Sequence, residues 1–231
     1  TPAYIYSRTR ESAEQLSERL RDVPYSTDIS RVPTDGDLYI FAVKDSALLD
    51  LVSRMPSNRG LWVHTAGSMD MEVFAPYTAR YGVFYPMQTF SKERETDFDD
   101  IPFFVETNHT DDTERLQKLA GRLSTKVYEA TSEQRKYLHL AAVFACNFSN
   151  HLYALCDRIL SEHGLPFETM LPLIRETAAK VADMPPAQAQ TGPAIRYDKN
   201  VIDKQMALLS DPTMRQIYDL MSRSIHETNK H

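Results

Sequence analysis

Ala3-Tyr-Ile-Tyr6 is a short aromatic and β-branched run. Ser7-Arg8-Thr9-Arg10 follows it at once, ahead of a helical pattern opening Glu11-Ser-Ala-Glu-Gln-Leu16. Hydroxyls and guanidinium groups at a strand end suit a phosphate, because arginine offers phosphate oxygens a planar fork of donors. In a βαβ nucleotide site the second strand ends at the adenosine ribose, where an acidic side chain would accept from a free 2′-hydroxyl. Ser7, Arg8 and Thr9 in that place predict selection of a 2′-phosphate, and so NADP rather than NAD as cofactor. The bland reading is a polar turn in which Thr9 caps the helix and Glu11 complements its dipole. The sequence contains no G-x-G-x-x-G triplet.

Two more strand exits are candidates for the same cofactor. Val43 and Lys44 follow an apolar run at residues 38–43, and Asp45 is expected to cap the next helix. His64-Thr65-Ala66-Gly67-Ser68 closes the strand Leu61-Trp-Val-His64. Gly67 would let a backbone approach a nicotinamide or ribose. Thr65 and Ser68 supply hydroxyls, and His64 could donate to a ribose. Against this, His64 at a strand end reads more readily as a satisfied core histidine, and Lys44 as merely exposed.

The segment Lys136-Tyr-Leu-His139-Leu-Ala-Ala-Val-Phe-Ala-Cys-Asn147-Phe-Ser-Asn150-His151 places polar groups in an otherwise apolar helix. At roughly 100° per residue Lys136, Val143, Asn147 and Asn150 share a face, with His139 close by. One reading is a substrate site, with His139 or Lys136 giving a proton and Asn147 holding a carbonyl or amine. The other is a helix whose amides bond neighbouring backbone or a partner subunit. No metal is expected, because His139, His151 and His163 are spaced too far apart for one ion. Farther on, Thr191-Gly192-Pro193 precedes Arg196 and Asp198. Thr191, Gly192 and Arg196 are candidate substrate contacts, Arg196 for a carboxylate or phosphate.

These residues need elements to hold them. Apolar runs at residues 38–43, 61–64, 81–85, 102–106 and 126–129 alternate with helical stripes at 11–21, 46–54 and 111–123. That alternation predicts an α/β domain with a mainly parallel sheet. From residue 133 the pattern is helical: 133–163, 167–183, 200–209 and 212–226, the last opening on Asp211 and Pro212. The expected plan is α/β plus all-α: a Rossmann-like NADP-binding domain over residues 1–130 and a helical dimerisation and substrate domain over residues 131–231. A ligand would sit between them.

The 231 residues are 42% hydrophobic and 25% charged, with net charge −6. Acidic and basic residues are mixed, which excludes a nucleic-acid footprint. No apolar run approaches the ~20 residues that cross a bilayer. The opening residues lack a signal-peptide core. Cys146 and Cys156 are separated by about 15 Å of helix, too far to bridge, so a reducing cytoplasm is expected.

The strings Ile5-Tyr-Ser-Arg-Thr9, Val63-His-Thr-Ala-Gly-Ser68, Gly82-Val-Phe-Tyr-Pro-Met-Gln-Thr-Phe90, His139-Leu-Ala-Ala-Val-Phe-Ala-Cys-Asn147 and Thr191-Gly-Pro-Ala-Ile-Arg-Tyr-Asp198 run in order along nearly the whole chain. In them the sequence resembles bacterial Rossmann-like NADP oxidoreductases of the deazaflavin-dependent type. Those are distantly similar to pyrroline-5-carboxylate reductase and 6-phosphogluconate dehydrogenase. The resemblance implies that the first strand and its glycine loop are absent from this chain, and that the helical domain dimerises. Two positions depart from the pattern. Tyr85 precedes Pro86 where relatives carry His. Leu140 stands four residues after Lys136, so the Lys-x-x-x-Asn pair of hydroxyacid dehydrogenase relatives is not reproduced.

Two functions follow as expectations. One is an NADP(H)-dependent oxidoreductase acting on a small C=O or C=N compound in the interdomain cleft. The other is a non-catalytic dinucleotide sensor or dimeric scaffold that keeps the fold without turnover. The expected partners are a small-molecule substrate and a second copy of the chain, with neither nucleic acid nor membrane.

Overall fold

A computed structural model describes residues 2–229. The chain divides into two compact units, residues 1–147 and 148–231.

The first unit is α/β. Strand β1 (Ile5–Tyr6) leads into α1 (Arg10–Arg19) and pairs in parallel with β2 (Tyr25–Ser26). A five-stranded sheet follows in sequence order: β3 (Leu38–Phe41), β4 (Leu61–His64), β5 (Tyr81–Pro86), β6 (Phe103–Thr107) and β7 (Val127–Glu129). Only the β5–β6 pair of that sheet is antiparallel. Helices α2 (Asp45–Arg54) and α3 (Thr110–Ala120) connect strands, and α4 (Ser132–Ala142) follows β7. This is the mainly parallel, Rossmann-like sheet that the alternation predicted.

Strand alternation sorts the core into faces. Leu61, Val63, Phe84, Phe103 and Val105 pack with Leu116 and Ala120 of α3. Trp62 lies on the other face, with Phe41, the α2 residues Leu48, Leu51 and Val52, and Phe74. Val83, Tyr85 and Phe104 continue that second face and meet Leu138 of α4. β3, for all its apolar run, is not buried on both sides: Ile40 is 50% exposed, and β3 is the end strand of its sheet. The short β2 has too few residues to show an alternation.

The helical reading holds beyond residue 132 with two departures, one of them a tighter turn at Phe167–Met170 that opens the segment read as 167–183. α4 gives way to a π-helical turn, Val143–Phe148, before α5 (Ser149–Glu162). The division between the two compact units falls at this turn. α4 belongs with the sheet because Ser132 and Arg135 bond groups there, as described below. The second unit contains α5, α6 (Leu171–Asp183), the short α7 (Pro186–Ala189), α8 (Lys199–Ala207) and α9 (Pro212–Thr228). Asp211 caps α9 through the N–H groups of Thr213 and Met214, with Pro212 in the first turn. Among the described residues, no helix is long and apolar enough to cross a membrane.

Candidate functional site

β3, β4 and β5 run in parallel, so Phe41, His64 and Pro86 end on one edge of the sheet. Chain exits on this edge are where open α/β sheets bind ligands. The pairing registers place His64, Val83 and Glu106 in one row across three strands. Their side chains share the face that α4 covers, and Tyr85 and Phe104 form the next row.

The turn after β4 is held by side chains from all around it. His64 Nδ1 accepts from the Ala66 N–H at 3.2 Å. Asp45 accepts from the Ser68 hydroxyl. Arg135 donates to the Met69 carbonyl at 2.5 Å and to Glu106 at 2.7 Å. The Ser132 hydroxyl accepts from the Met71 N–H at 3.1 Å and donates to Glu106 at 2.7 Å. Lys136 lies 3.6 Å from Asp70. The start of α4 is set by a reciprocal capping box of Thr131 and Gln134, which turns Ser132 and Arg135 inward.

The electrostatics follow from burial. Arg135 is fully buried, and its ion pair with Glu106 satisfies the carboxylate with two donors. Burial and the charge of Arg135 lower the pKa of His64 to about 4, so its ring is neutral at neutral pH. With Nδ1 accepting, the proton of that neutral ring sits on Nε2. His64 Nε2 and Arg135 Nε are the buried side-chain nitrogens without a partner among the described residues.

At the centre is Gly67. A β-carbon there would stand 2.8 Å from His139 Nδ1 and 2.8 Å from Tyr85 Cζ. The glycine is needed because these two side chains close on it. His139 Nδ1 and the Tyr85 hydroxyl are themselves 3.5 Å apart. Burial raises the phenol's pKa above its usual 10, a shift that nearby Arg135 opposes.

Thus Gly67 meets His139, and Lys136 reaches the same turn at Asp70. Several expectations need correction. His64 is fully buried and shapes the turn from below, so its ring cannot donate to a ribose. Gly67 is covered by protein side chains and is not an open platform. Asp45 is not a cap: Lys44 holds the N-cap position of α2 without a side-chain bond. Lys136 is engaged by Asp70. Asn147 lies exposed in the π turn. A π turn is wider than an α turn, so the 100° arithmetic that aligned Asn147 and Asn150 with Lys136 fails beyond Val143.

Sequence reasoning missed Arg135, Ser132, Glu106 and Tyr85 as a group. Thr131-x-x-Gln134 was the available signal, since it fixes where α4 starts and puts Ser132, Arg135 and His139 on one stripe.

The expected phosphate contacts lie elsewhere in the first unit. Arg8 and Thr9 are exposed at the exit of β1, and Ser7 is half-buried. The Thr9 hydroxyl donates to Ser12 at 2.9 Å and does not cap α1. Arg8 has no ion pair or side-chain hydrogen bond among the described residues. A free guanidinium, hydroxyls and uncapped helix N–H groups are a donor set that fits a phosphate. Val43 and Lys44 are exposed at the exit of β3. In the second unit Thr191, Gly192 and Arg196 are exposed, and Gly192 takes φ +101°. Arg196 is not paired with Asp198, which caps α8 instead.

A Rossmann-like sheet with a tied-down turn at its C-terminal edge, followed by helices, defines a dinucleotide-fold protein with an appended helical region. The chain belongs to the family described as "Domain of unknown function (DUF2520)", whose model matches residues 101–225. It is 52% identical to the "putative NADP oxidoreductase" of Bacteroides fragilis, over 98% of this chain and 88% of that one, with a TM-score of 0.89. A Thermotoga maritima protein is 24% identical, over 98% of this chain and 90% of that one, with a TM-score of 0.75. The 1-pyrroline-5-carboxylate reductase of Streptococcus pyogenes is 12% identical, over 97% of this chain and 88% of that one, with a TM-score of 0.60. These last two likenesses concern the fold. No curated protein matches the sequence closely.

Proposed function

We propose that this protein is an NADP(H)-dependent reductase of a small C=N or C=O compound. The observation that carries this reading is the closure of His139 and Tyr85 on Gly67, at the strand edge where such folds hold ligands. The name of the 52% identical Bacteroides fragilis relative supports the cofactor. The shared fold with a reductase of a cyclic imine supports C=N as the bond acted on.

Ser7, Arg8 and Thr9 would hold the 2′-phosphate, and Val43, Lys44, Thr65 and Ala66 would line the path towards the reacting end. The bound cofactor would supply hydride. The chain's own part is to orient and to protonate. His139, exposed at its outer edge, would give a proton to the nitrogen or oxygen of the substrate. Arg135, Ser132 and Asp45 keep the turn still while it does so, which reduces the reorganisation needed at the moment of reaction.

We also infer a homodimer built on the second unit. No residue of α5 or α6 is buried in the single chain. Leu152, Tyr153 and Leu173 are exposed, Leu173 by 62%. Helices are held mainly by burying an apolar face, and a second copy would cover this one.

The test is NADPH oxidation by the full-length protein with small cyclic imines and 2-oxo acids. Turnover that falls at least about 100-fold in His139→Gln supports the reading, in line with the worth of a general acid. Turnover of neither class, with no NADPH binding, sinks it.

A further inference from the structure

We propose that Lys136 is the receptor for a carboxylate on the substrate, so that the site takes small imino or oxo acids in preference to their neutral counterparts. The inference deepens the reductase reading and rests on it for where the substrate lies.

The helix sets the place of Lys136. Ser132, Arg135, Lys136 and His139 fall within about 100° of arc on α4. Three of them meet the β4 turn directly: Ser132 at the Met71 N–H, Arg135 at the Met69 carbonyl and His139 at Gly67. Residues three apart on a helix are surface neighbours, so Lys136 stands beside His139 at that turn. Its flexible four-carbon stem lets the ammonium reach a group lying there. Of the two cations on the stripe, Arg135 is fully buried and committed to Glu106. Lys136 is the one a ligand can reach, with half of its side chain exposed.

The present partner of Lys136 holds it loosely. Nζ and Asp70 Oδ2 are 3.6 Å apart, longer than a hydrogen bond. Asp70 does not need the lysine to keep its place. Its other oxygen, Oδ1, accepts from the Glu72 N–H at 3.1 Å and caps the short helical turn Met71–Phe74. That backbone bond, ahead of the ammonium nearby, holds the Asp70 carboxyl below its ordinary pKa. A half-exposed ion pair contributes little, so drawing the ammonium from Asp70 to a ligand costs little. A substrate carboxylate would take the place of Asp70 as its partner. Glu106 cancels the charge of Arg135, while Asp45 and Asp70 remain at the turn. One negative charge on the ligand is therefore tolerated better than the two of a phosphate monoester.

The experiment compares NADPH oxidation by the full-length protein with a five-membered cyclic imine and with the same ring bearing a carboxylate. In the parent, kcat/KM for the carboxylate form should be higher by about tenfold or more, in line with a charge-assisted contact. Lys136→Met should remove that preference, mainly through KM, and Lys136→Arg should keep it. Asp70→Asn is the sharper arm. Its side-chain oxygen can still accept from the Glu72 N–H, but the lysine loses its competing charge. KM for the carboxylate form should then fall, which a merely structural ion pair does not predict. The proposal is overturned by a ratio near one in the parent, by a preference that survives Lys136→Met, or by a KM that does not fall in Asp70→Asn. If the parent turns over neither imine, the reductase reading fails and binding decides this one. Calorimetry with cyclopentanecarboxylate and its neutral carboxamide should then show a preference for the carboxylate that Lys136→Met removes. Equal binding of the two, or binding of neither, overturns the proposal.

Discussion

Gly67 and His139 touch: a β-carbon on the glycine would stand 2.8 Å from the imidazole Nδ1. The neighbour on the other side, Tyr85, is equally close and is confined by the sheet. Gly67→Ala must therefore displace His139, Tyr85 or the turn itself. We expect a loss of about 1–3 kcal/mol in denaturant unfolding, as for other overpacked sites, and a loss of turnover greater than that of an alanine change at exposed Ser68. A crystal structure of Gly67→Ala with His139 and Tyr85 unmoved would contradict the packing described.

His64 predicts a pH dependence of stability. Its folded-state pKa is near 4 against an ordinary 6.5, through burial and then Arg135. Between these values the unfolded chain takes up a proton that the folded chain refuses. Stability is therefore complete above pH 6.5 and declines as pH falls towards 4, by up to about 3 kcal/mol from this group. In His64→Asn the side-chain oxygen can still accept from Ala66, and that part of the slope should vanish. Urea titrations at a series of pH values measure it; an unchanged slope would show that other groups cause it.

Glu106→Gln leaves the fully buried Arg135 guanidinium without its counter-charge. Breaking one side of a buried pair typically costs about 3–5 kcal/mol. The thermal midpoint should fall sharply, and Arg135→Met combined with Glu106→Gln should recover part of the loss. If the single variant melts with the parent, the pair is not isolated from water.

Arg8→Ala tests cofactor choice. The full-length protein should bind NADPH more tightly than NADH, and the substitution should remove most of the difference. A charge-assisted contact of this kind is worth roughly 1.5–3 kcal/mol. Equal affinity of the parent for both nucleotides, by fluorescence titration, would remove the 2′-phosphate assignment.

Leu173→Asp addresses assembly. Leu173 is 62% exposed on α6, a helix with no buried residue. Light scattering should give a dimer mass for the parent and a monomer for the variant at micromolar concentration. A parent that is monomeric refutes the inferred dimer.

The sequence conveyed the elements better than their facing. Strand runs such as Leu61–His64 and the Asp211-Pro212 helix start were legible because alternation and capping are local. His139 was legible as a polar group in an apolar helix. Arg135 was not, because a buried cation looks like any surface arginine until its partner, Glu106, is known from strand register. The exposure of Ile40 on β3 was not legible, because an apolar run reads the same whether or not a helix covers it. The π turn at Val143–Phe148 leaves no mark in composition, yet it shifts every later residue out of the phase that simple helical counting assigns.

The restraints on the β4 turn come largely from later in the chain: Glu106, Ser132 and Arg135. A growing polypeptide that has emerged only as far as β7 can pair its strands, but has neither Arg135 to hold the Met69 carbonyl nor His139 to cover Gly67. Order at the turn thus depends on contacts of long sequence separation, which form slowly. The candidate site is completed only when α4 docks, so it is a product of the tertiary fold and not of the β4 turn alone.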